Sequence, residues 1–434
     1  VYNILKFESN ALFLVKYLFE DPLLEEVLRK RGDLIDLLIK MVEIPTISPS
    51  GDNYLEYVSF MRDYFREKGF DVEIIDVPQD LVDKNVPPEG RGKKRSIVLA
   101  RVGSKKNIIL HFNGHYDVVP GGPGWTVTEP FKPVVRGDRI YGRGTTDMKG
   151  GIASAIIAME IIAKHAERED FGVEIALVPD EEIGGLTGTG YLVSIGAVGS
   201  RYIVIVEPSG IERVYIGHKG SVWGRVIVRG RTAHGSTPWL GVNAFEKTVE
   251  LVYEIMRKII PELSKKKSMY EYDLPEGNVP TLTLGGYLKG GEKTNQVPGE
   301  VVFSFDRRVI VEENAEEVWR ELREEIHRIA KEKNIDIEIV LEQISQPVLT
   351  DPNSKIVKAL EKSGEEVLGK PPKKIVCIGG LDMRFYAEKK YEVATYGPGA
   401  LGVAHAPDEY IEISDLIKAS QVYIRLIQNL SRER

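Results

Sequence analysis

Three short stretches, residues 108–112, 173–178 and 202–206, are almost unbroken runs of apolar side chains. A strand that is apolar on both faces must be covered on both faces, which places these runs inside a sheet flanked by helices. The intervening chain has helical spacing. Residues 151–164 put Ile152, Ala155, Ile156, Met159 and Ile162 on one side. Between 25 and 69, Leu34, Leu37, Leu38 and Met41 form one stripe and Leu55, Val58, Met61 and Phe65 another, with Pro45 and Pro49 breaking the chain between them. Two further strands are predicted at 72–77 and 96–102. Strands separated by helices predict an α/β fold.

The rhythm changes after Gly217. A strand at 221–228 and a helix at 243–260, with Phe245, Val249, Val252, Met256 and Ile259 on one side, are followed by strands at 279–288 and 300–310, a helix at 315–333 and a strand at 335–341. This β-α-β-β-α-β order is that of a ferredoxin-like unit. After Pro347 come a helix at 354–368, a strand at 374–378 and a helix at 413–430. The expectation is a discontinuous domain, 1–217 and 346–434, with a smaller domain, 218–345, inserted into it. Residues 86–94, with Pro87, Pro88, Gly90 and Gly92, read as a mobile loop.

Composition narrows the function classes. The chain is 42% hydrophobic and 28% charged, which suits a globular protein with a real core. Against 65 acidic residues stand 58 basic ones, a net charge of −7, where a nucleic-acid or anionic-lipid binder leans the other way. A nucleic-acid role has nothing in its favour beyond the short basic loop Lys93-Lys94-Arg95. A single cysteine, Cys377, excludes an internal disulfide and an all-cysteine metal site. Residues 1–20 read as an amphipathic helix: Lys6, Glu8, Lys16 and Glu20 interrupt the apolar pattern, so no membrane span is expected and the cytoplasm is the default compartment.

Three of the seven histidines, His115, His234 and His405, lie in polar turns beside carboxylates. A lone histidine is more often structural than a ligand, so each needs a companion. His115 ends a buried strand, and Asp117, two residues on, faces the same way and can accept the second ring N–H. Asp147, in Gly142-Arg-Gly-Thr-Thr-Asp147-Met-Lys-Gly-Gly151, precedes a helix and suits an N-cap as well as a ligand. Glu181 and Glu182 follow the strand at 173–178, where α/β proteins place ligands; a solvated acidic turn is the plainer reading. Glu207 ends the next strand, and His405 sits near Glu409. Two histidines and three carboxylates, four of the five beside predicted strand ends or a helix start, suit two cations sharing a bridging carboxylate.

Gly114-His115-Tyr-Asp117-Val-Val, Tyr141-Gly-Arg-Gly-Thr-Thr-Asp147-Met-Lys-Gly-Gly, Asp180-Glu181-Glu182-Ile-Gly-Gly, Glu207-Pro and His405-Ala-Pro-Asp-Glu occur in one order and spacing. In this the chain resembles the two-metal amidohydrolase and peptidase family of aminoacylase, acetylornithine deacetylase, succinyl-diaminopimelate desuccinylase and glutamate carboxypeptidase. The resemblance runs from about Leu34 to the C-terminus. It implies a zinc-aminopeptidase-like catalytic domain with a mixed central sheet, plus an inserted ferredoxin-like lid and dimerisation domain.

The resemblance also implies roles. Asp147 bridges two divalent ions, Zn²⁺ first, Co²⁺ or Mn²⁺ otherwise. His115 and Glu207 complete one metal site, Glu182 and His405 the other. Glu181 is the general base and then acid, Asp117 orients His115, and the Asp147–Met148 peptide is cis. His234, in Arg231-Thr-Ala-His234-Gly-Ser-Thr-Pro238, serves the other subunit's site in a dimer by stabilising the oxyanion. Asn295 lies on the oxyanion side, Arg308 holds a substrate carboxylate, and Gly380 and Arg384 belong to a Gly-rich substrate loop in which Leu381 replaces the relatives' Thr or Ser. Arg307 is read as a solvated strand residue and Trp125 as a packing residue. His111 is read as a core or supporting residue; His165, His218 and His327 have no catalytic role.

The expected function is cleavage of an amide in N-acyl amino acids or small peptides, of deacetylase or desuccinylase type. Carboxypeptidase or dipeptidase action in the same family is the alternative. A catalytically silent metabolite-binding relative ranks lower, because the ligand positions and Glu181 are all filled.

Overall fold

The structure is a computed structural model that describes residues 21–165, 170–400 and 402–432. The helix expected within 1–20 lies outside these. Among the described residues no helix is long and apolar enough to cross a membrane. The chain divides into two compact units. The first comprises 1–216, 350–374 and 381–434; the second comprises 217–349 and 375–380. The expected cuts were 217/218 and 345/346; in this division the chain changes unit at 216/217 and 349/350, and a short return segment, 375–380, groups with the insertion.

The first unit is built on β1 (Asp71–Asp76), β2 (Ser96–Gly103), β3 (Ile108–His115), β4 (Gly172–Val178), β5 (Tyr202–Ile205), β6 (Arg213–His218) and β7 (Glu392–Thr395). They run in the order β1-β2-β4-β3-β5-β7-β6. The sheet is mixed: β3 is parallel to both β4 and β5, and β7 is parallel to β5, whereas β1, β2 and β4 alternate in direction. Every residue of β3 and β4 is buried, as expected of strands covered on both faces. Beta-6 and β7 were not anticipated; each is short, and such runs carry little periodicity. A small three-stranded sheet, Val134–Arg136, Arg139–Tyr141 and Tyr410–Glu412, was also missed.

The flanking helices are α1 (Pro22–Arg29), α2 (Arg31–Glu43), α3 (Tyr54–Glu67), α4 (Gly150–His165), α5 (Lys355–Leu368) and α6 (Ile413–Arg432). The Leu34–Met41 stripe is buried as predicted, but Leu55 points outward and Tyr54 and Tyr57 take its place in the core. Residues 86–94 are more anchored than their Pro and Gly content predicts. Pro88–Gly90 forms a 3-10 turn with Gly90 buried, and the Gly92 N–H donates to the Asp83 carboxylate at 2.7 Å.

In the second unit four antiparallel strands run in the order Thr281–Gly290, Glu300–Val309, Gly220–Arg229, Asp336–Ser345. With helices Ala244–Lys258 and Ala315–Glu332 this is the ferredoxin-like arrangement read from the sequence. One detail differs in part. On helix Ala244–Lys258 the buried positions are Ala244, Thr248, Leu251, Glu254 and Ile255; of the predicted inward stripe Phe245, Val249 and Met256 are exposed, while Val252 and Ile259 pack against the core. Both faces carry apolar residues, so periodicity alone could not choose between them.

Candidate metal centre

Parallel pairing of β3 with β4 and β5 brings three strand ends to one edge of the sheet. His115 is the last residue of β3. Glu181 and Glu182 follow β4 in a tight 3-10 turn, Glu181–Ile183, entered through Asp180 at φ +62°. Glu207 follows β5. Asp147 comes from the kinked segment Thr145–Lys149 ahead of α4, with non-helical φ/ψ of −118° and 94°, so it is not a simple N-cap. The Asp147–Met148 peptide is cis. The start of α4 packs hard against the end of β5: a Cβ added at Gly151 would lie 1.9 Å from the Val206 carbonyl oxygen, so only glycine fits. That close approach sets Asp147 beside Glu207.

The two oxygens of Asp147 face different histidines. Oδ1 is 3.0 Å from His115 Nε2, which is also 3.4 Å from Glu207 Oε1. Oδ2 is 3.2 Å from His405 Nε2, which is also 3.0 Å from Glu182 Oε1. The atoms around a tetrahedral ion with bonds of 2.0–2.1 Å stand about 3.3 Å apart, so each half has the spacing of a ligand set, and imidazole with carboxylate suits Zn²⁺ and similar divalent ions. Glu181 offers an oxygen to the same cluster as His115 and Glu207.

Electrostatics favour a cation here. Burial pushes the carboxyls of Glu181, Glu182 and Glu207 above their usual range, with Asp382 adding to Glu181 and Asp147 to the other two. Asp147 is pushed up by burial too, but hydrogen bonds from His115 and His405 outweigh this and hold it low. Hydrogen bonds to Asp147 and Glu182 in turn raise His405 to about 10. Several carboxylates gathered out of water repel one another unless positive charge is supplied.

Asp117 supports the site, though not as expected. The ring Nδ1–H of His115 donates to the Asp117 backbone carbonyl at 2.9 Å, and the carboxylate lies further off at 3.5 Å. A carbonyl only accepts, so Nδ1 carries a hydrogen, and Nε2, which donates to Asp147 in the metal-free chain, is the nitrogen that would release its proton to a cation. The Asp117 carboxylate instead accepts the backbone N–H groups of Glu181 (3.1 Å) and Glu182 (3.2 Å). It thus orients the glutamate turn.

Sequence reasoning passed over Glu409 and Arg143. Glu409 Oε1 accepts the N–H groups of Gly144, Thr146 and Asp147 at 3.0, 2.9 and 3.2 Å, and Oε2 pairs with Arg143 at 2.6 Å. Arg143 also donates to the carbonyls of His405 (3.1 Å) and Ala406 (3.2 Å) and lies over the Trp125 ring, which gives Trp125 its packing duty. This buried pair ties the Asp147 segment to the His405 loop. Both residues stand inside the quoted motifs, and a buried Arg–Glu partnership was the signal that could have exposed them.

The other predicted site residues are placed as follows. Arg384 spends its N–H groups on the carbonyls of Gly184 (2.8 Å) and Leu381 (3.2 Å) and on Asp382 (3.4 Å). In the second unit His234 and Asn295 are neighbours: strand Ala233–His234 pairs with Gln296–Val297, the Gly235 N–H donates to the Asn295 carbonyl at 2.8 Å, and exposed His234 meets the Ser236 hydroxyl at 2.7 Å. Arg308 is half-buried and donates to Asp306 at 3.0 Å. Arg307, expected in solvent, is buried and grips Glu313 with two bonds of 2.7 and 2.9 Å. Gly380 follows strand Lys373–Cys377 and belongs to the second unit.

A carboxylate shared by two histidine–glutamate pairs, with a spare glutamate beside it, is the equipment of a metal-dependent hydrolase. The sequence profile of Peptidase family M20/M25/M40 matches residues 111–429. The chain belongs to that family, and it is a metal-dependent hydrolase acting on amide bonds. It is 27% identical to a succinyl-diaminopimelate desuccinylase of Nautilia profundicola over 91% of this chain and 99% of that protein. It is 28% identical to an uncharacterized metallohydrolase of Methanocaldococcus jannaschii over 94% of this chain and all (100%) of that protein. In fold it is similar to an M20 family metallo-carboxypeptidase of Sulfolobus solfataricus, with a TM-score of 0.71 at 20% identity over 92% of this chain and 99% of that one. Human carnosine dipeptidase 1 gives a TM-score of 0.71 at 18% identity over 94% and 98%.

Proposed function

We propose that this chain is a cytoplasmic binuclear hydrolase that removes an acyl group, acetyl or succinyl, from the nitrogen of an amino acid carrying a free carboxylate. The observation that carries the proposal is the Asp147 carboxylate, whose two oxygens face two separate histidine–glutamate pairs. His115, Asp147 and Glu207 would hold one ion; His405, Asp147 and Glu182 the other, with Zn²⁺ preferred over Co²⁺ or Mn²⁺. When bound, such ions acidify water and polarise a carbonyl oxygen. Glu181 removes a proton from the attacking water and then delivers it to the departing amine nitrogen as the C–N bond breaks. Burial, which raises the Glu181 carboxyl, suits it to both halves of that task. Asp117 holds the turn in place. On the family resemblance, His234, acting on the other subunit's site, and Asn295 stabilise the oxyanion, Arg308 binds the substrate carboxylate, and Gly380 and Arg384 belong to the substrate loop.

Relatives named as desuccinylases over nine-tenths of the chain support the deacylase reading. Structural neighbours described as a carboxypeptidase and a dipeptidase keep peptide cleavage as the alternative. The test is a hydrolysis panel of N-acetyl-ornithine, N-succinyl-diaminopimelate, N-acyl amino acids and dipeptides with each metal. E181Q should lose turnover on the best substrate by at least about a thousandfold while keeping its metals. Full activity in E181Q would refute the assignment.

The second unit supports a homodimer. Its helix Ala244–Lys258 exposes Phe245 (55%), Val249 (53%), Tyr253 (63%) and Met256 (54%), and strand Thr281–Gly290, with Leu288 exposed, is an edge of its sheet. A row of large apolar side chains beside an unpaired edge is the surface two copies would cover.

A further inference from the structure

Strand β3 carries polar side chains on one face of a fully buried strand: His111, Asn113 and His115 alternate along it. His115 serves the metal centre. His111 and Asn113 do not touch it, yet burying them requires hydrogen-bond partners. Both converge on the phenol of Tyr386, with His111 Nε2 at 2.9 Å and Asn113 Nδ2 at 2.7 Å from the hydroxyl. His111 Nδ1 is 2.8 Å from Glu174, a buried carboxylate on neighbouring β4 that also takes an N–H of Arg101 at 3.0 Å. Asn113 can only donate to the phenol through its amide nitrogen; with a neutral His111 whose Nδ1–H donates to Glu174, the phenol O–H donates to Nε2.

Tyr386 stands on the short helix Met383–Glu388. Arg384 of that helix donates to the Gly184 carbonyl at 2.8 Å, and the Gly184 N–H closes the Glu181 turn on the Glu181 carbonyl at 2.8 Å. The second N–H of the Asn113 amide donates to Thr189 at 3.1 Å, at the far end of the loop that bears both glutamates. The central strand therefore holds that loop from two directions, directly at Thr189 and through Tyr386 and Arg384 at Gly184.

We propose that Tyr386, gripped by His111 and Asn113, is a positioning residue that registers Glu181 against the His115 strand. The inference rests on the hydrolase reading above and assigns to Arg384 the duty of a strut for the base turn. A misplacement of about 1 Å in a reacting group can cost about a hundredfold in rate, so losing one of the two holds is expected to cost less than that.

The test compares wild type with Y386F, which removes one oxygen, in the metal-loaded enzyme. The expected result is a fall in kcat of about tenfold with KM and bound metal within about twofold of wild type. Amide deuterium exchange in residues 180–190 should rise. H111Q, which keeps an acceptor for the phenol, should retain most of kcat, whereas H111A should behave like Y386F. T189V, which loosens the other end of the same loop, replaces Y386F if that variant does not fold. Unchanged kcat, or unchanged exchange over 180–190, overturns the proposal, as does a fall in activity that only follows lost metal. If the wild type turns over no N-acyl amino acid or dipeptide, the hydrolase reading fails instead, and exchange over 180–190 alone decides whether the clamp exists.

Discussion

His405 shows how one contact set links charge, pH and metal. Asp147 and Glu182 raise its imidazole to about 10 from an ordinary 6.5. A raised pKa means that this pairing stabilises the metal-free chain in full below about pH 6.5 and is lost as the pH climbs through about 10. A metal ion needs the neutral ring, so within that window binding must expel the proton. Metal affinity is therefore expected to rise with pH between those values, with proton release measurable by calorimetry in buffers of different ionisation heat. An affinity indifferent to pH there would remove His405 from the ligand set. The candidate ligands were legible because four of the five stand beside a strand end or a helix start and all five fall in spaced motifs. Their supports were not. Asp117 uses its carbonyl where a carboxylate was expected, and Arg307 is buried against Glu313, because both outcomes depend on where a neighbouring backbone lies.

At the level of elements, the loop after β4 is the most heavily braced piece of the site. Arg95 and Asp180, both buried, meet at 2.7 Å; Arg95 also donates to the Pro49 carbonyl and stacks over Tyr54, while Asp180 accepts from Tyr54 at 3.1 Å and Thr187 at 2.6 Å. Removing one partner of such a pair leaves an uncompensated charge and typically costs about 3–5 kcal/mol. R95M is expected to lower unfolding free energy by roughly that amount in denaturant titrations; a loss under about 1 kcal/mol would show that the pair carries little. In the sequence Arg95 ended a short basic cluster, Lys93-Lys94-Arg95, just beyond the segment 86–94 read as mobile. Its partner is 85 residues away along the chain, and only the ordering of β2 beside β4 brings the two together.

The whole molecule adds the question of assembly. The exposed Phe245–Met256 face is the side that the periodicity of its helix predicted to be buried, and a second copy is the covering proposed for it. F245E combined with Y253E should shift light-scattering mass from dimer to monomer without lowering the melting temperature of the second unit; a dimer that survives both charges would place the interface elsewhere.

Taken alone, the sequence determined the α/β class, the inserted ferredoxin-like unit and the metal-ligating candidates, since these follow from local periodicity and from motifs read along the chain. Tertiary structure decided which oxygen of Asp147 faces which histidine, which face of helix Ala244–Lys258 is exposed, and that Tyr386 lies against His111. The reason is that adjacency between residues as far apart as 111 and 386 is set by strand order and close backbone packing, which no stretch of sequence contains by itself.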